Sequence, residues 1–425
     1  MCQKLDTVRK RLIISWCLYD WANSAFPTVI ITFVFATYFT NSVAFDVITG
    51  TAYWGYAISL SSLIVALTAP MFGAVADNSG KDRVWLGSFT LICILCCCFL
   101  WFVEPNWSYA FLALLLVGVA NFAFEISMVF YNAMLPKLVS DSHLGRISGL
   151  GWGLGYFGGL LCLSLTLFGL VNPEIPWFGL DKTTAEHVRA APILVSIWYT
   201  VFSIPLFIFF TEKRDCSFTF NSAIKRGYSD LKYTILRIRK RFNIVRFLIA
   251  RMLYTDGLNT LFAFGGIYAA GSFGMEMKEI IFFAIGLNLT AGLGAMIFGW
   301  VDDCIGPKKT IMISITGLII LGAILLIIET KTNFWIFGLS LGIFVGPAQA
   351  SSRSLMAKLT PSEEARKLFG LYAFSGKATA FLGPALLGFV SVIFDSQRAG
   401  MGMILVFFVF GMILLNGVVE NSSKA

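Results

Sequence analysis

The stretch GAVADNSGKDR, residues 73–83, recurs later in the chain as GWVDDCIGPKK, residues 299–309. Both copies have the pattern G-x-x-x-D-x-x-G followed by basic residues, at an offset of 226 positions. KLVSDSHLGRISG (137–149) likewise matches KLTPSEEARKLFG (358–370) at an offset of 221, and LYDWANS (18–24) matches LYTDGLNT (253–260) at about 236. Three matches at similar offsets indicate two homologous halves of like topology.

The composition is typical of a protein embedded in a membrane. Of the 425 residues, 57% are hydrophobic and only 13% are charged, and the mean hydropathy is +0.78. The apolar runs are longer and more continuous than the strands of a membrane barrel, which favours helices. The predicted fold class is therefore an all-α membrane protein with twelve transmembrane helices in two pseudo-symmetric six-helix bundles. A window of about 19 residues gives the spans as roughly 14–40, 52–76, 84–103, 108–135, 147–170, 191–211, 244–270, 279–301, 309–328, 334–357, 368–394 and 399–419.

Basic residues in the loops predict the orientation of the chain and its division. Most of the loop Lys and Arg lie on one side of the bilayer, together with both termini, so both termini are expected in the cytoplasm. The basic segment 212–243 separates an N-terminal bundle, 1–211, from a C-terminal bundle, 244–425. Apolar residues recur in this segment at near-helical spacing. It is therefore interpreted as an interfacial amphipathic helix or as a basic linker that sets orientation, and the two interpretations are compatible.

Several classes of function are disfavoured by the sequence. The basic residues are spread between apolar segments, so no nucleic-acid partner is expected. The chain has no H-E-x-x-H motif, no Walker loop and no G-x-S-x-G with a plausible base, so no catalytic residues are predicted and the protein is not expected to be an enzyme. Cys93 and Cys96 form a C-x-x-C inside an apolar segment, and the chain has only two His. No metal site and no cofactor is therefore expected.

The repeat also carries a resemblance to a known superfamily. Two parallel six-span halves with a site near the midplane are the architecture of major facilitator transporters, and the G-x-x-x-D-x-x-G-[KR] loop resembles their signature. A narrower resemblance is to the bacterial branch called the unknown major facilitator family, which is related to the autophagy-linked vacuolar amino-acid effluxers of fungi. It covers residues 15–390 and rests on LYDWANSAF, RISGLGWGLGYFGG, ARMLYTDGLNTLFAFGGIYA, GPAQASSRSLMAKLTP and FGLYAFSGKATAFLGP.

This resemblance implies a function and a location. The expected protein is a secondary active transporter of a small polar metabolite, an amino acid or related zwitterion, which works by alternating access with protons as the candidate coupling ion. It is expected as a monomer in the lipid bilayer of a bacterial inner membrane. The alternative is the same fold exporting or flipping an amphipathic solute such as a lysolipid or a drug.

Helices one and seven carry the first candidate site residues, since the resemblance implies that helices one, four, seven and ten line the central cavity. Asp20 and Asn23 are three positions apart and share a helical face, as do Asp256 and Asn259. A carboxylate in the membrane is costly, which favours a role in binding substrate or protons. The alternative is structural: each Asp hydrogen-bonds to neighbouring helices or pairs with Arg251.

Helices four and ten add further polar residues. Asn121, Glu125 and Asn132 fall on one face of helix four, and Gln349 and Arg353 are one turn apart in helix ten. The offset of 221 equates Arg353 with Asn132. Arg353 is interpreted either as a clamp for a substrate carboxylate, since its guanidinium offers two parallel donors, or as a permanent partner of Glu125.

Lys377 is expected about ten residues into helix eleven, close to the middle of the membrane. It is a candidate counter-ion for Asp20 or Asp256, or a ligand for an anionic group. The alternative is a lysine that reaches the interface with its long side chain.

The two signature loops are predicted to act as a conformational latch that breaks as the two halves rock. The alternative is a role in setting orientation alone. The latch residues are Gly73, Asp77, Gly80, Lys81 and Arg83 in the first copy and Gly299, Asp303, Gly306 and Lys308 in the second.

Overall fold

The computed structural model describes residues 2–79, 81–210 and 241–420, without the side chains of 2–8, 78, 79, 277 and 362. Within these ranges every regular element is helical. The predicted linker, 212–243, lies outside the described residues except for its last three positions.

The first half of the chain forms six membrane-length segments. The first, α1, runs from Cys2–Asn23 into π-helical Phe26–Phe33, Phe35–Tyr38 and π-helical Phe39–Val43. Pro27 explains the change of helix type, because it removes a backbone donor and disturbs the preceding turn. The others are α2 (Val47–Ser79), α3 (Asp82–Phe99), α4 (Ala110–Leu138), α5 (Leu144–Leu165) and α6 (Glu186–Phe209).

The second half follows the same order. Its helices are α7 (Phe242–Phe273), α8 (Met277–Ile305), α9 (Pro307–Ile327), α10 (Lys331–Leu359), α11a (Ala365–Lys377), α11b (Leu382–Ile393) and α12 (Gln397–Asn416). Among the described residues, eleven segments are apolar and long enough to cross a membrane. The twelfth is α7, with 32 residues, whose hydropathy is lowered by Arg251, Asp256 and Asn259. The predicted all-helical membrane fold is confirmed.

The predicted span 368–394 coincides with one membrane-length segment, Ala365–Ile393, whose helix is interrupted. Residues 368–394 are not one helix, because residues 378–381 form turns between α11a and α11b. Pro384 accounts for the break: it has no amide hydrogen, and its ring collides with the carbonyl of the residue four positions earlier.

Contacts divide the chain into two compact units. The first comprises Met1–Thr68, Ser79–Tyr131 and Leu154–Phe218, and the second comprises Ala69–Asn78, Asn132–Gly153 and Thr219–Ala425. The second unit thus includes the end of α2, the end of α4 and the start of α5. The bundles 1–211 and 244–425 follow from the sequence repeat, and that division stays a prediction.

Aromatic side chains of α1 form the core of the first unit. The Trp16 and Tyr131 rings stack with centroids 4.5 Å apart. Trp16 Nε1 donates to the carbonyl of Tyr131 at 3.1 Å, and the Tyr131 hydroxyl donates to the carbonyl of Trp16 at 2.9 Å. The Tyr19 hydroxyl lies 2.6 Å from Thr90 Oγ1 and 2.9 Å from the Tyr199 hydroxyl. These contacts fix α1 against α3, α4 and α6.

Candidate functional site

The predicted polar pair of α1 is buried. Asp20 is 5% exposed and Asn23 is 2% exposed. Asn23 Nδ2 donates to Met128 Sδ of α4 at 3.4 Å. The Gly-rich start of α5 allows a close approach here, since a Cβ at Gly155 would lie 2.7 Å from Ser24 Oγ. This matches the small-residue packing that is common between membrane helices.

The polar residues predicted on one face of α4 differ in their surroundings. Asn121 is buried, and its Nδ2 donates at 3.0 Å to Ser61 Oγ of α2, which in turn donates to the Gly118 carbonyl at 2.9 Å. Glu125 is partly exposed. Asn121 therefore tightens the packing of α4 on α2 within the first unit.

The buried carboxylate of α7 has no hydrogen-bond partner among the described residues. Asp256 is 2% exposed, and neither of its side-chain oxygens is within hydrogen-bonding geometry of a donor. Asn259, less than one turn further on, is exposed. Arg251 does not pair with Asp256. Its Nη1 donates to the Tyr372 carbonyl at 2.6 Å and to Ser375 Oγ at 2.7 Å.

Arg353 of α10 is buried against the start of α5. It is 1% exposed; its Nε donates to Ser148 Oγ at 2.9 Å, and its Nη2 donates to the Ser148 carbonyl at 2.7 Å. Its Nη1 donates to Asn132 Oδ1 at 3.3 Å, so the two residues equated by the repeat meet. The guanidinium also lies over the Trp152 ring, 5.7 Å from the centroid. Gln349, one turn earlier, is partly exposed.

Lys377 is the last residue of α11a and is partly exposed. It is the thirteenth residue of the membrane-length segment Ala365–Ile393, and its proposed role as a counter-ion stays a prediction. A cation at the C-terminal end of a helix is favourable, because the last carbonyls carry partial negative charge.

Both latch carboxylates bind the start of a helix in the second unit. Asp77 accepts hydrogen bonds from Arg366 Nη1 at 3.3 Å and from the Lys367 amide at 3.1 Å. Asp303 accepts from the Gly145 amide at 2.8 Å, the Arg146 amide at 3.3 Å and Arg146 Nε at 2.6 Å. The two copies of the signature therefore make equivalent contacts with α11a and α5. A carboxylate in this position is stabilised by the partial positive charge of the helix N-terminus.

Glycines let the backbones meet at these contacts. A Cβ at Gly73 would lie 2.4 Å from the Arg366 carbonyl oxygen, and one at Gly299 would lie 3.0 Å from Arg146 Cα. Gly306 has φ +94°, a conformation that favours glycine.

The remaining latch residues differ in their surroundings. Lys308 Nζ donates to the Asn416 carbonyl at the end of α12, at 2.7 Å. Lys81 and Arg83 are exposed, and Gly80 lies outside the described residues.

Comparison with known proteins identifies the family. The family model described as vacuole effluxer Atg22 like matches residues 8–425. The chain belongs to the Atg22-like family. This Atg22-like chain is 26% identical over 417 residues to the uncharacterized MFS-type transporter YxiO of Bacillus subtilis, covering 96% of this chain and 95% of the relative. It is 23% identical over 408 residues to autophagy-related protein 22 of Kluyveromyces lactis, covering 87% and 80%.

A solved structure supports the same assignment. The Atg22-like chain superposes on the major facilitator proton:xylose symporter XylE with a TM-score of 0.76, at 11% identity, over 99% of this chain and 98% of that chain. At this identity the likeness shows the fold alone. With the family match, it makes the protein a major facilitator transporter and not an enzyme, and the predicted resemblance is confirmed.

Sequence reasoning missed several partners in this Atg22-like transporter. Asp302 is 3% exposed, and Ser354 Oγ of α10 donates to its Oδ2 at 2.6 Å. Its signal was the doubled acid in GWVDDCIG, where the first copy has Ala76. Arg146 and Arg366 lie in the second repeat pair, which therefore already contained the partners of both latch carboxylates.

Two other features of the Atg22-like chain stand apart from these contacts. Among the side chains that the structure describes, no group of three or more His, Cys, Asp or Glu is placed to hold a metal ion. An apolar cavity of about 60 Å³ lies between α7, α8, α9, α10 and α12, with Tyr268 on its wall. The Tyr268 hydroxyl donates to the Leu325 carbonyl at 3.0 Å, so it is engaged in helix packing.

Proposed function

We propose that this Atg22-like transporter moves an amino acid or a related zwitterion across the membrane by alternating access. The observation that supports the proposal best is the burial of the Arg353 guanidinium on α10, beside Ser148 and Asn132. A guanidinium binds a carboxylate more strongly than a neutral acceptor, because both charges contribute and two parallel hydrogen bonds form. A substrate carboxylate is therefore a favourable ligand for Arg353.

Asp20 is a further candidate for handling substrate or protons. Within the first unit its carboxylate is buried on α1, beside the change from α-helix to π-helix. Charged residues at membrane depth mark substrate or ion pathways more often than packing. We propose that it binds a cationic group or a proton.

Asp77 and Asp303 are proposed as the latches of one conformational state. Each carboxylate holds the first turn of a helix by backbone and side-chain hydrogen bonds. A hinge or shear movement separates such contacts all at once, which gives two discrete states rather than a continuum. In the orientation predicted from the basic loops, both proposed latches lie on the cytoplasmic side.

The experiment is a thermal-shift screen of the detergent-purified transporter with the twenty amino acids, short peptides, nucleosides and lysolipids. A ligand that binds only the folded protein at a hundredfold its Kd adds about 2.7 kcal/mol to stability. Stabilisation by zwitterions in the wild type, but not in Arg353→Gln, is expected. Stabilisation by lysolipids alone would contradict the amino-acid assignment and favour an amphipathic solute.

A further inference from the structure

The carboxylate of Asp256 is buried in the second unit and has no hydrogen-bond partner among the described residues. Asp302 and Asp303 both accept hydrogen bonds, whereas both oxygens of Asp256 are buried and lack a donor among the described residues. An ionised carboxylate in that situation costs many times more free energy than a neutral one. The group therefore requires a cation or a proton.

The break in helix eleven lies against the backbone of α7 at Asp256. A Cβ at Gly383, the second residue of α11b, would lie 1.9 Å from Thr260 Oγ1 and 3.2 Å from the Asp256 carbonyl oxygen. Neither oxygen of the Asp256 carboxylate has a hydrogen-bond partner among the described residues. The first turn of α11b thus packs closely on α7 at the level of Asp256, and a larger side chain at position 383 would collide with Thr260.

The charged groups of the packed elements are engaged elsewhere or lie at helix ends. Arg251, on α7 itself, binds the carbonyl of Tyr372 and the hydroxyl of Ser375. On α12, Phe407 and Phe408 face the neighbouring Gly257. The other titratable or charged groups on α7, α8, α10, α11a and α12 are Arg246, Tyr254, Tyr268, Lys278, Glu279, Asp302, Asp303, Cys304, Lys331, Arg353, Lys358, Arg366, Lys367, Tyr372, Lys377 and Arg398. Of the described side chains, none is a hydrogen-bond partner of Asp256.

The surroundings favour a proton over a metal cation. A bound alkali or divalent cation gathers several oxygen ligands, and no group of three or more His, Cys, Asp or Glu that could hold a metal ion is found among the described side chains. Thr260 Oγ1, the nearest hydroxyl on the same face, already donates to the Asp256 carbonyl at 2.7 Å. A proton does not require several oxygen ligands.

We infer that Asp256 is the coupling-proton site of this transporter. It holds a proton in the conformation described here and releases it to water when the first turn of α11b moves away from α7. The coupling role rests on the proposed transport function, whereas occupancy by a proton does not depend on any substrate.

Infrared spectroscopy tests proton occupancy without a substrate. The purified wild type at neutral pH should show the C=O absorption of a protonated carboxyl group, which is distinct from that of a carboxylate. Asp256→Asn, which keeps the shape of the side chain, should lose intensity equal to one such group. Glu174→Gln, at an exposed loop position, is the matched control and should lose none. Equal protonated-carboxyl intensity in the wild type and in Asp256→Asn overturns the inference.

Transport in proteoliposomes tests the coupling. With an amino acid found in the thermal-shift screen, the wild type should show both counterflow and accumulation driven by an imposed pH gradient. Asp256→Asn should retain counterflow and lose the gradient-driven accumulation. Loss of both would make Asp256 a substrate ligand, and accumulation driven by a sodium gradient would make the site a metal site; either result overturns the inference. Failure of every amino acid to bind the wild type refutes the proposed function instead, and the infrared result still decides the proton site.

Discussion

Replacing Asp303 with alanine tests the contact that holds the start of α5. The carboxylate accepts from two backbone amides, those of Gly145 and Arg146, and from Arg146 Nε. A helix cap contributes about 1 kcal/mol, and a hydrogen bond to a charged group about 1.5–3 kcal/mol. The Arg146 side chain is 38% exposed and regains water when Asp303 is removed, so its share is discounted. A net loss of about 2–3 kcal/mol is expected.

The assay is hydrogen–deuterium exchange at residues 144–149, read by mass spectrometry. Exchange follows local opening, whose free energy the contact with Asp303 raises. Since about 1.4 kcal/mol is a factor of ten, the expected loss raises exchange at Gly145 and Arg146 by roughly 30- to 150-fold. The matched control is Asp77→Ala, which should raise exchange at Lys367 and leave residues 144–149 unchanged, because the two carboxylates hold different helices.

Two results would refute this reasoning. Exchange at Gly145 and Arg146 that stays at the wild-type rate in Asp303→Ala would mean that the helix start is held by other contacts. An equal rise at residues 144–149 and at Lys367 in both variants would mean general loosening of the fold rather than two separate contacts.

Three further substitutions test the packing, the proposed carboxylate anchor and the helix break. Gly149→Ala places a Cβ 2.3 Å from a carbonyl oxygen, and overpacking should cost about 1–3 kcal/mol. The melting temperature should therefore fall. The control is Gly388→Ala, which has open space around it and should not lower the melting temperature. Arg353→Lys keeps the charge but not the two parallel donors, and should weaken amino-acid binding about tenfold or more as measured by thermal shift. Equal affinity in the wild type and the variant would mean that Arg353 does not bind the substrate carboxylate. Proline in a helix interior costs about 3 kcal/mol, and Pro384→Ala restores the missing amide donor. Hydrogen exchange at residues 378–381 should therefore slow, whereas an unchanged rate would mean that the break has another cause.

From the repeat in the sequence, more could be predicted about the contacts of Asp77 and Asp303 than about the proposed substrate site. Equivalent carboxylates in equivalent loops had to make equivalent contacts if the halves were homologous, and Asp77 and Asp303 do so. Their partners, Arg366 and Arg146, were present in a second repeat pair but not connected to the first. Spacing along a helix gives the face of a residue, but it does not say which distant segment that face meets.

The hydropathy pattern did not reveal the break in helix eleven. An average over about 19 residues treats Gly383 and Pro384 as two neutral positions in an apolar run, although their backbone properties are those of a helix start. The same average gave α7 as a simple span, although the carboxylate of Asp256 near its centre has no hydrogen-bond partner among the described residues. Backbone chemistry carried the signal in helix eleven, and a charged side chain within an apolar run carried it in α7.

The break also divides helix eleven into two parts, α11a and α11b, that contact different residues. At its start, α11a is held by Asp77, and near its end Arg251 binds the Tyr372 carbonyl. By contrast, α11b begins against α7 beside Asp256. Because the turns at residues 378–381 interrupt the helical hydrogen bonds, we expect α11b to move off Asp256 without pulling α11a from Asp77. The proposed release of the proton and the proposed opening of the latch would then be separate steps, and Asp77→Ala should leave the infrared carboxyl signal of Asp256 unchanged.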